Sequence, residues 1–124
     1  MIADAQITFL GCADLARSRK FYESVIGLQL VVDQGSCLIF RVGSDAYLGV
    51  CEREGATPGV ATIVTLVTDD VDGWCDRIVR AGGELGARPA HNDTYGIYHA
   101  FLRDPDGHTL EIQRFDDPNW ASAT

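Results

Sequence analysis

The chain has 124 residues, 46% apolar and 23% charged, which fits one soluble globular domain able to bury a core without a metal or disulfide staple. Eighteen acidic residues against ten Lys and Arg give a formal charge of -8, a field that repels nucleic acid and anionic membranes and mildly favours cationic partners. No apolar run approaches the roughly 18 residues that a membrane span needs. The opening MIADAQ has no basic segment followed by an apolar run, and Cys12, Cys37, Cys51 and Cys75 form no CxxC pair, so a cytoplasmic protein with reduced thiols is expected.

Taken in order, residues 7–12 (ITFLGC) read as a strand, and Asp14 sits as an N-cap before a helix that ends at Gly27. Leu15, Phe21, Tyr22, Val25 and Ile26 form its apolar face. Three strands follow, at about 28–33, 36–43 and 46–52, completing a βαβββ unit over 5–52. Residues 53–61 (REGATPGVA) carry two glycines and a proline with little periodicity and read as a linker. The same order then begins again over 62–116. Residues 63–67 form a strand, Asp70 caps a helix bearing Val71, Trp74, Cys75, Ile78 and Val79, and Gly82-Gly83 stops it. Strands near 84–91, 95–103 and 108–115 complete the unit, and 117–124 is a polar tail with one aromatic, Trp120.

The halves superimpose at an offset of 56 residues: Ile7 on Ile63, Asp14 on Asp70, Gly27 on Gly83. Caps, stops and strand starts that match at one offset argue for duplication. The fold class expected is α+β, two tandem βαβββ modules forming a cupped mixed sheet with helices on its outer face.

The richest stretch is Phe101 to Phe115, FLRDPDGHTLEIQRF. Asp104-Pro105-Asp106-Gly107 supplies the fixed φ, the Asx side chain and the glycine of a tight reversal. Alternation puts Leu110 and Ile112 on one face and Glu111, Gln113 and Phe115 on the other. On the incoming strand, Tyr98, Ala100 and Leu102 share one parity, and Tyr95, His99 and Phe101 the other. If the Leu110/Ile112 face packs on a helix, Glu111, Gln113, His99 and Phe101 share the open face, which is the candidate ligand site.

Two βαβββ modules, with DLARSRKFYESVIGL in the first and DPDGHTLEI closing the second, resemble the vicinal oxygen chelate superfamily. That superfamily includes glyoxalase I, bleomycin-resistance proteins, fosfomycin-modifying thiol transferases and extradiol dioxygenases. The resemblance covers nearly the whole chain and implies a pocket formed by paired modules, often in a homodimer. In the metal-dependent members it implies ligands on the first and last strand of each module, positions that fall here on Ile7, Gly49, Ile63 and Glu111. Only Glu111 can bind a metal; Ile, Gly and Ile offer no donor. No metal or other cofactor is therefore expected.

Glu111 in an apolar cup is a candidate base or ligand contact, and His99 on the adjoining strand a candidate proton-transfer partner. A substitute metal set of His91, His99 and Glu111 is an alternative, whereas His108, after the turn, reads as a surface residue. Phe9, Tyr47, Tyr95 and Phe101 are inferred to face the cup, joined by Trp120 if the tail folds over its mouth. Cys12 and Cys51 have no visible activating base and read as buried thiols. Trp74 reads as core or dimer interface.

These features lead to a metal-independent, homodimeric binding protein similar to the bleomycin-resistance branch, sequestering an aromatic or cationic small molecule such as an antibiotic. The alternative is an isomerase, lyase or dioxygenase of the same superfamily that uses His99 and Glu111, with no metal or a non-standard one. A third possibility is a dimeric scaffold whose cup is filled by its own side chains.

Overall fold

Both helices begin at an aspartate. Asp14 accepts from the Arg17 amide at 3.1 Å and Asp70 from the Gly73 amide at 3.0 Å, each satisfying an N–H that the first helical turn leaves free. The computed structural model describes residues 1–59 and 61–121; Val60 in the expected linker and the last three residues of the expected tail lie outside the described residues. The elements are β1 (Gln6–Cys12), α1 (Leu15–Lys20) with a π-helical continuation (Phe21–Ile26), β2 (Gln29–Asp33), β3 (Cys37–Arg41) and β4 (Ala46–Glu52). Then come β5 (Ile63–Val67), α2 (Val71–Arg80), β6 (Ala90–Asn92), β7 (Ile97–Arg103) and β8 (Thr109–Phe115).

The architecture is α+β, two cupped four-stranded mixed sheets ordered β1-β4-β3-β2 and β5-β8-β7-β6. In each, the first and last strands of the module pair in parallel and the other pairs are antiparallel. The repeat is thus visible in the pairing: Ile7 opposes Tyr47 in one sheet, and Ile63 opposes Thr109 in the other. Leu48 and Val50 of the first sheet, and Leu110 and Ile112 of the second, bury into one core with Tyr22, Phe40 and Ile78. Each sheet therefore carries helices on one face and leaves the other open.

The turn between β7 and β8 fastens the halves together. Asp104 Oδ1 accepts from the Asp106 and His108 amides, both at 2.9 Å, and Oδ2 accepts from the Tyr22 hydroxyl at 2.7 Å. Asp106 accepts from the Ala13 amide at 2.9 Å and from the Arg17 guanidinium at 3.2 Å. Burial, and then the nearby Asp104 charge, push the Tyr22 hydroxyl far above its ordinary pKa. His108 is not the surface residue expected: it is 7% exposed, and its Nε2 donates to the Gly11 carbonyl at 2.8 Å.

Four further expectations are corrected. The first helix widens into a π-turn at Phe21–Ile26, where the Gly27 and Leu28 amides both reach the Tyr22 carbonyl and Gly27 takes φ 90°. The strand expected over 84–91 shrinks to one bridge, Leu85 to Leu102, and to β6, because Gly86 adds no side chain to pack and Pro89 has no N–H to donate. The next strand starts at Ile97 rather than 95, since Gly96, at φ 63°, belongs to the preceding turn. The thiols divide: Cys12 and Cys75 are free and buried, whereas Cys37 and Cys51 are disulfide-bonded, so the expectation of reduced thiols fails for that pair. Among the described residues no helix is long and apolar enough to cross a membrane.

Candidate ligand-binding face

The register of the second sheet sets the site. Across β5, β8 and β7, Thr65 opposes Glu111 and Glu111 opposes Phe101, with Val67, Gln113 and His99 aligned one step along. These residues all lie on the parity opposite the buried Leu110 and Ile112. Glu111 sits at the centre, 7% exposed, and a buried carboxylate at that depth needs partners. It has three. Thr65 donates its hydroxyl to Oε1 at 2.7 Å, His99 Nδ1 lies 2.5 Å from Oε2, and Gln113, its amide nitrogen turned inward, donates to both oxygens at 3.1 Å.

The carboxylate fixes the imidazole. With Nδ1 donating to the carboxylate, a neutral imidazole keeps its lone pair on Nε2, and Nε2 has no hydrogen bond among the described residues. Phe101 packs edge-on against this ring, with centroids 5.0 Å apart. An acceptor nitrogen held rigid beside aromatic and aliphatic surface can take a hydrogen bond from a ligand or remove a proton from one.

Not every residue singled out from the sequence joins this face. Phe9 and Tyr47 lie on the open face of the first sheet, where Arg41 stacks over the Tyr47 ring at 5.2 Å and donates to its hydroxyl at 3.1 Å. Tyr95 is 74% exposed in the turn before β7. Trp120 stacks on Phe115 at 4.3 Å, which places the tail at the end of β8 beyond Gln113. His91 falls on the opposite parity from His99, its ring 4.8 Å from Tyr98, so His91, His99 and Glu111 do not converge. Trp74 is half-buried against the core. Thr65 is the site residue that the sequence reading missed; its parity with Ile63 on a strand parallel to β8 was the available signal. A cleft of about 1010 Å3 lies beside this face, lined by Phe21, Val25, Leu85 and Phe101 but by neither His99 nor Glu111.

The positions that would hold a metal do not fit one. Ile7 and Ile63 carry no donor, and a Cβ at Gly49 would meet the Phe9 ring at 2.4 Å, so that ring occupies the space a liganding side chain would need. Glu111 spends both oxygens on protein donors. Among the described residues no group of three or more His, Cys, Asp or Glu could hold an ion.

Comparison with known proteins agrees with the geometry of the fold. The pattern of the Glyoxalase/Bleomycin resistance protein/Dioxygenase superfamily matches residues 5–112. A protein of Vibrio parahaemolyticus named probable lactoylglutathione lyase is 32% identical over 120 residues, spanning 85% of this chain and 86% of that protein. One of the same name from Vibrio cholerae is 28% identical over 118 residues, with the same coverage of 85% and 86%. A crystal structure of a glyoxalase/bleomycin resistance protein/dioxygenase from Nocardioides superposes with a TM-score of 0.77 at 17% identity, covering 95% of this chain and 86% of that one, a likeness of fold.

Proposed function

Because this chain belongs to the glyoxalase/bleomycin resistance protein/dioxygenase superfamily, we propose that it binds a small organic molecule on the open face of its second sheet without a metal ion, and sequesters it unchanged. One observation carries the reading: Glu111 is saturated by Thr65, His99 and Gln113, so the face offers His99 Nε2 as a polar anchor but no open carboxylate seat for an ion. Ile63, Val67 and Phe101, all exposed on the same parity, supply apolar contact. The net charge of -8 favours a cationic compound and the exposed Phe101 ring an aromatic one, antibiotics among them.

The proposal includes a homodimer. Ile7 and Phe9 are 43% and 51% exposed on the first sheet, and β1 and β5 are edge strands with no outer partner among the described residues. A second copy that covered these faces would bring Phe9 and Tyr47 into the ligand pocket.

A second reading is favoured by the free Nε2 and by the names of the two Vibrio relatives. In it, His99 takes a proton from one carbon of the thiol adduct of an α-keto aldehyde and returns it to the neighbouring carbon, while the hydroxyl proton passes to the neighbouring oxygen, with Glu111 holding the imidazolium. Calorimetric titration with aromatic and cationic antibiotics, followed by recovery of the compound, separates the two. The expected result is binding of one molecule per pocket, unaltered ligand, and affinity about tenfold weaker in His99→Asn, the scale of one lost hydrogen bond. Saturable isomerisation of the adduct, abolished by His99→Asn and by Glu111→Gln, would overturn sequestration in favour of the lyase.

A further inference from the structure

On the open face of the first sheet, away from the His99 face, two cysteines stand directly opposite each other. The Glu52 amide donates to the Ser36 carbonyl at 2.9 Å, so by antiparallel alternation the next pair, Cys37 with Cys51, is a narrow, non-hydrogen-bonded one. Their Cα atoms are 4.1 Å apart and their sulfurs are bonded. Leu38 and Val50 beside them point into the core, so both sulfurs point to the open side. There they line a pocket of about 430 Å3 with Phe9, Gly11, Gln34 and Arg53.

Two features give the pocket a direction. Cys37 is half-buried whereas Cys51 is 6% exposed, so an incoming group meets Cys37 first. Among the described residues, Arg53 is the one charged residue lining the pocket. Its stem lies over Gly11, the strand partner of Cys51, with Cγ 3.7 Å from where a Cβ would stand. A cationic pocket is unusual on a chain of charge -8, and this one is the size of a small metabolite.

We propose that the Cys37–Cys51 disulfide is a thiol-exchange site for a small carboxylate-bearing thiol, with Cys37 Sγ the atom attacked and Arg53 the counter-charge to the carboxylate. The thiolate forms a bond to Cys37 Sγ as the Cys37–Cys51 bond breaks; its electron pair leaves on Cys51 Sγ, which takes a proton from solvent. A second thiolate attacking the thiol held on Cys37 releases a small disulfide and leaves Cys37 as a thiol. Two electrons have then passed from two thiols to one protein disulfide. Cys12 and Cys75 stay out of the exchange, buried and with their thiols pushed up in pKa chiefly by that burial.

The inference does not rest on the ligand reading above, although the dimer proposed there would share Phe9 with this pocket, and intact-mass measurement tests it separately. Protein purified without reductant and then unfolded is expected to show two titratable thiols, those of Cys12 and Cys75; four would overturn the proposal. In the native protein, with each per-thiolate rate divided by that thiol's rate against a small neutral disulfide, 3-mercaptopropionate is expected to open the protein disulfide about tenfold faster than cysteamine, a neighbour of similar size and opposite charge. Arg53→Gln should erase that preference. Equal rates in the wild type, or a preference that survives in Arg53→Gln, would overturn the role of Arg53 and the ligand class. With the disulfide of 3-mercaptopropionate as probe, Cys51→Ser should capture one adduct at Cys37 about tenfold faster than Cys37→Ser captures one at Cys51, following access. The reverse order would overturn Cys37 as the attacked atom. Should either variant fail to fold, proteolytic mapping of the mixed disulfide trapped in the wild type by acid quenching assigns the sulfur instead.

Discussion

His99 Nδ1 lies 2.5 Å from Glu111 Oε2, a diagonal contact across β7 and β8 in which the strand partner of each is a different residue, Gln113 for His99 and Phe101 for Glu111. The diagonal leaves the facing positions free, so Gln113 also reaches the carboxylate and Phe101 packs against the imidazole. Glu111→Ala would leave the Thr65 hydroxyl, the His99 N–H and the Gln113 amide without their acceptor at once. Unfolding free energy from urea titration should fall by about 1–3 kcal/mol, the cost of buried polar groups left unpaired. Glu111→Gln keeps an acceptor oxygen and should lose less. Equal losses would mean that the charge, not the hydrogen bonds, holds the cluster.

The first sheet shows what replaced this arrangement on its own side of the repeat. Gly49 is to Phe9 what Glu111 is to Thr65, and the Phe9 ring lies where a Cβ on Gly49 would go, 2.4 Å away. Gly49→Ala should therefore cost about 1–3 kcal/mol by overpacking. The penalty should shrink sharply in a Phe9→Leu background, whose side chain has no ring over the glycine. A double-mutant cycle measures that coupling, and additive losses would mean that the strain lies in the backbone instead.

Much of this was readable in advance because it depends on period-two alternation and local turn chemistry. The faces of β7 and β8 follow from Leu110, Ile112, Ala100 and Leu102, and Asp14, Asp70 and Gly27 mark element ends by local hydrogen bonding. What escaped depends on contacts far apart in sequence. His108 looks like a surface residue until Gly11, 97 positions away, is seen accepting its Nε2 proton. The Cys37–Cys51 bond follows from a strand register, not from a spacing motif. Phe9 and Tyr47 have the parity expected of them, but on a sheet that alternation alone cannot place against the other.

Metal content provides an independent check on the donor set. Untagged protein purified without chelator and offered zinc, nickel, manganese and iron should retain close to no ion by elemental analysis, and its Tm should not move. The reason is chemical: Ile7, Gly49 and Ile63 offer no donor, and Glu111 is already bonded to three protein groups. One ion per chain would show that other side chains supply the donors.

The Tyr22–Asp104 bond predicts how stability responds to alkali. Tyr22 is fully buried, and its pKa is raised above the ordinary value near 10 by burial and then by Asp104, so the folded protein keeps the proton that the unfolded chain releases. A group raised in the fold stabilises fully below its unfolded pKa and loses that contribution as pH climbs beyond it. Between pH 7 and 9 Tyr22 should therefore leave stability flat, and above pH 10 it should subtract about 1.4 kcal/mol per pH unit. Tyr22→Phe removes the donor at 2.7 Å from the Asp104 carboxylate and should cost about 1–3 kcal/mol at neutral pH. The same substitution removes the titrating group, so its stability should decline less steeply above pH 10, by the slope of one proton, and the two curves should converge. Urea unfolding at intervals from pH 7 to 11.5 reads both effects. Parallel curves would mean that the Tyr22 hydroxyl ionises within the fold, and that the clasp between the helix and the Asp104 turn opens before the protein unfolds.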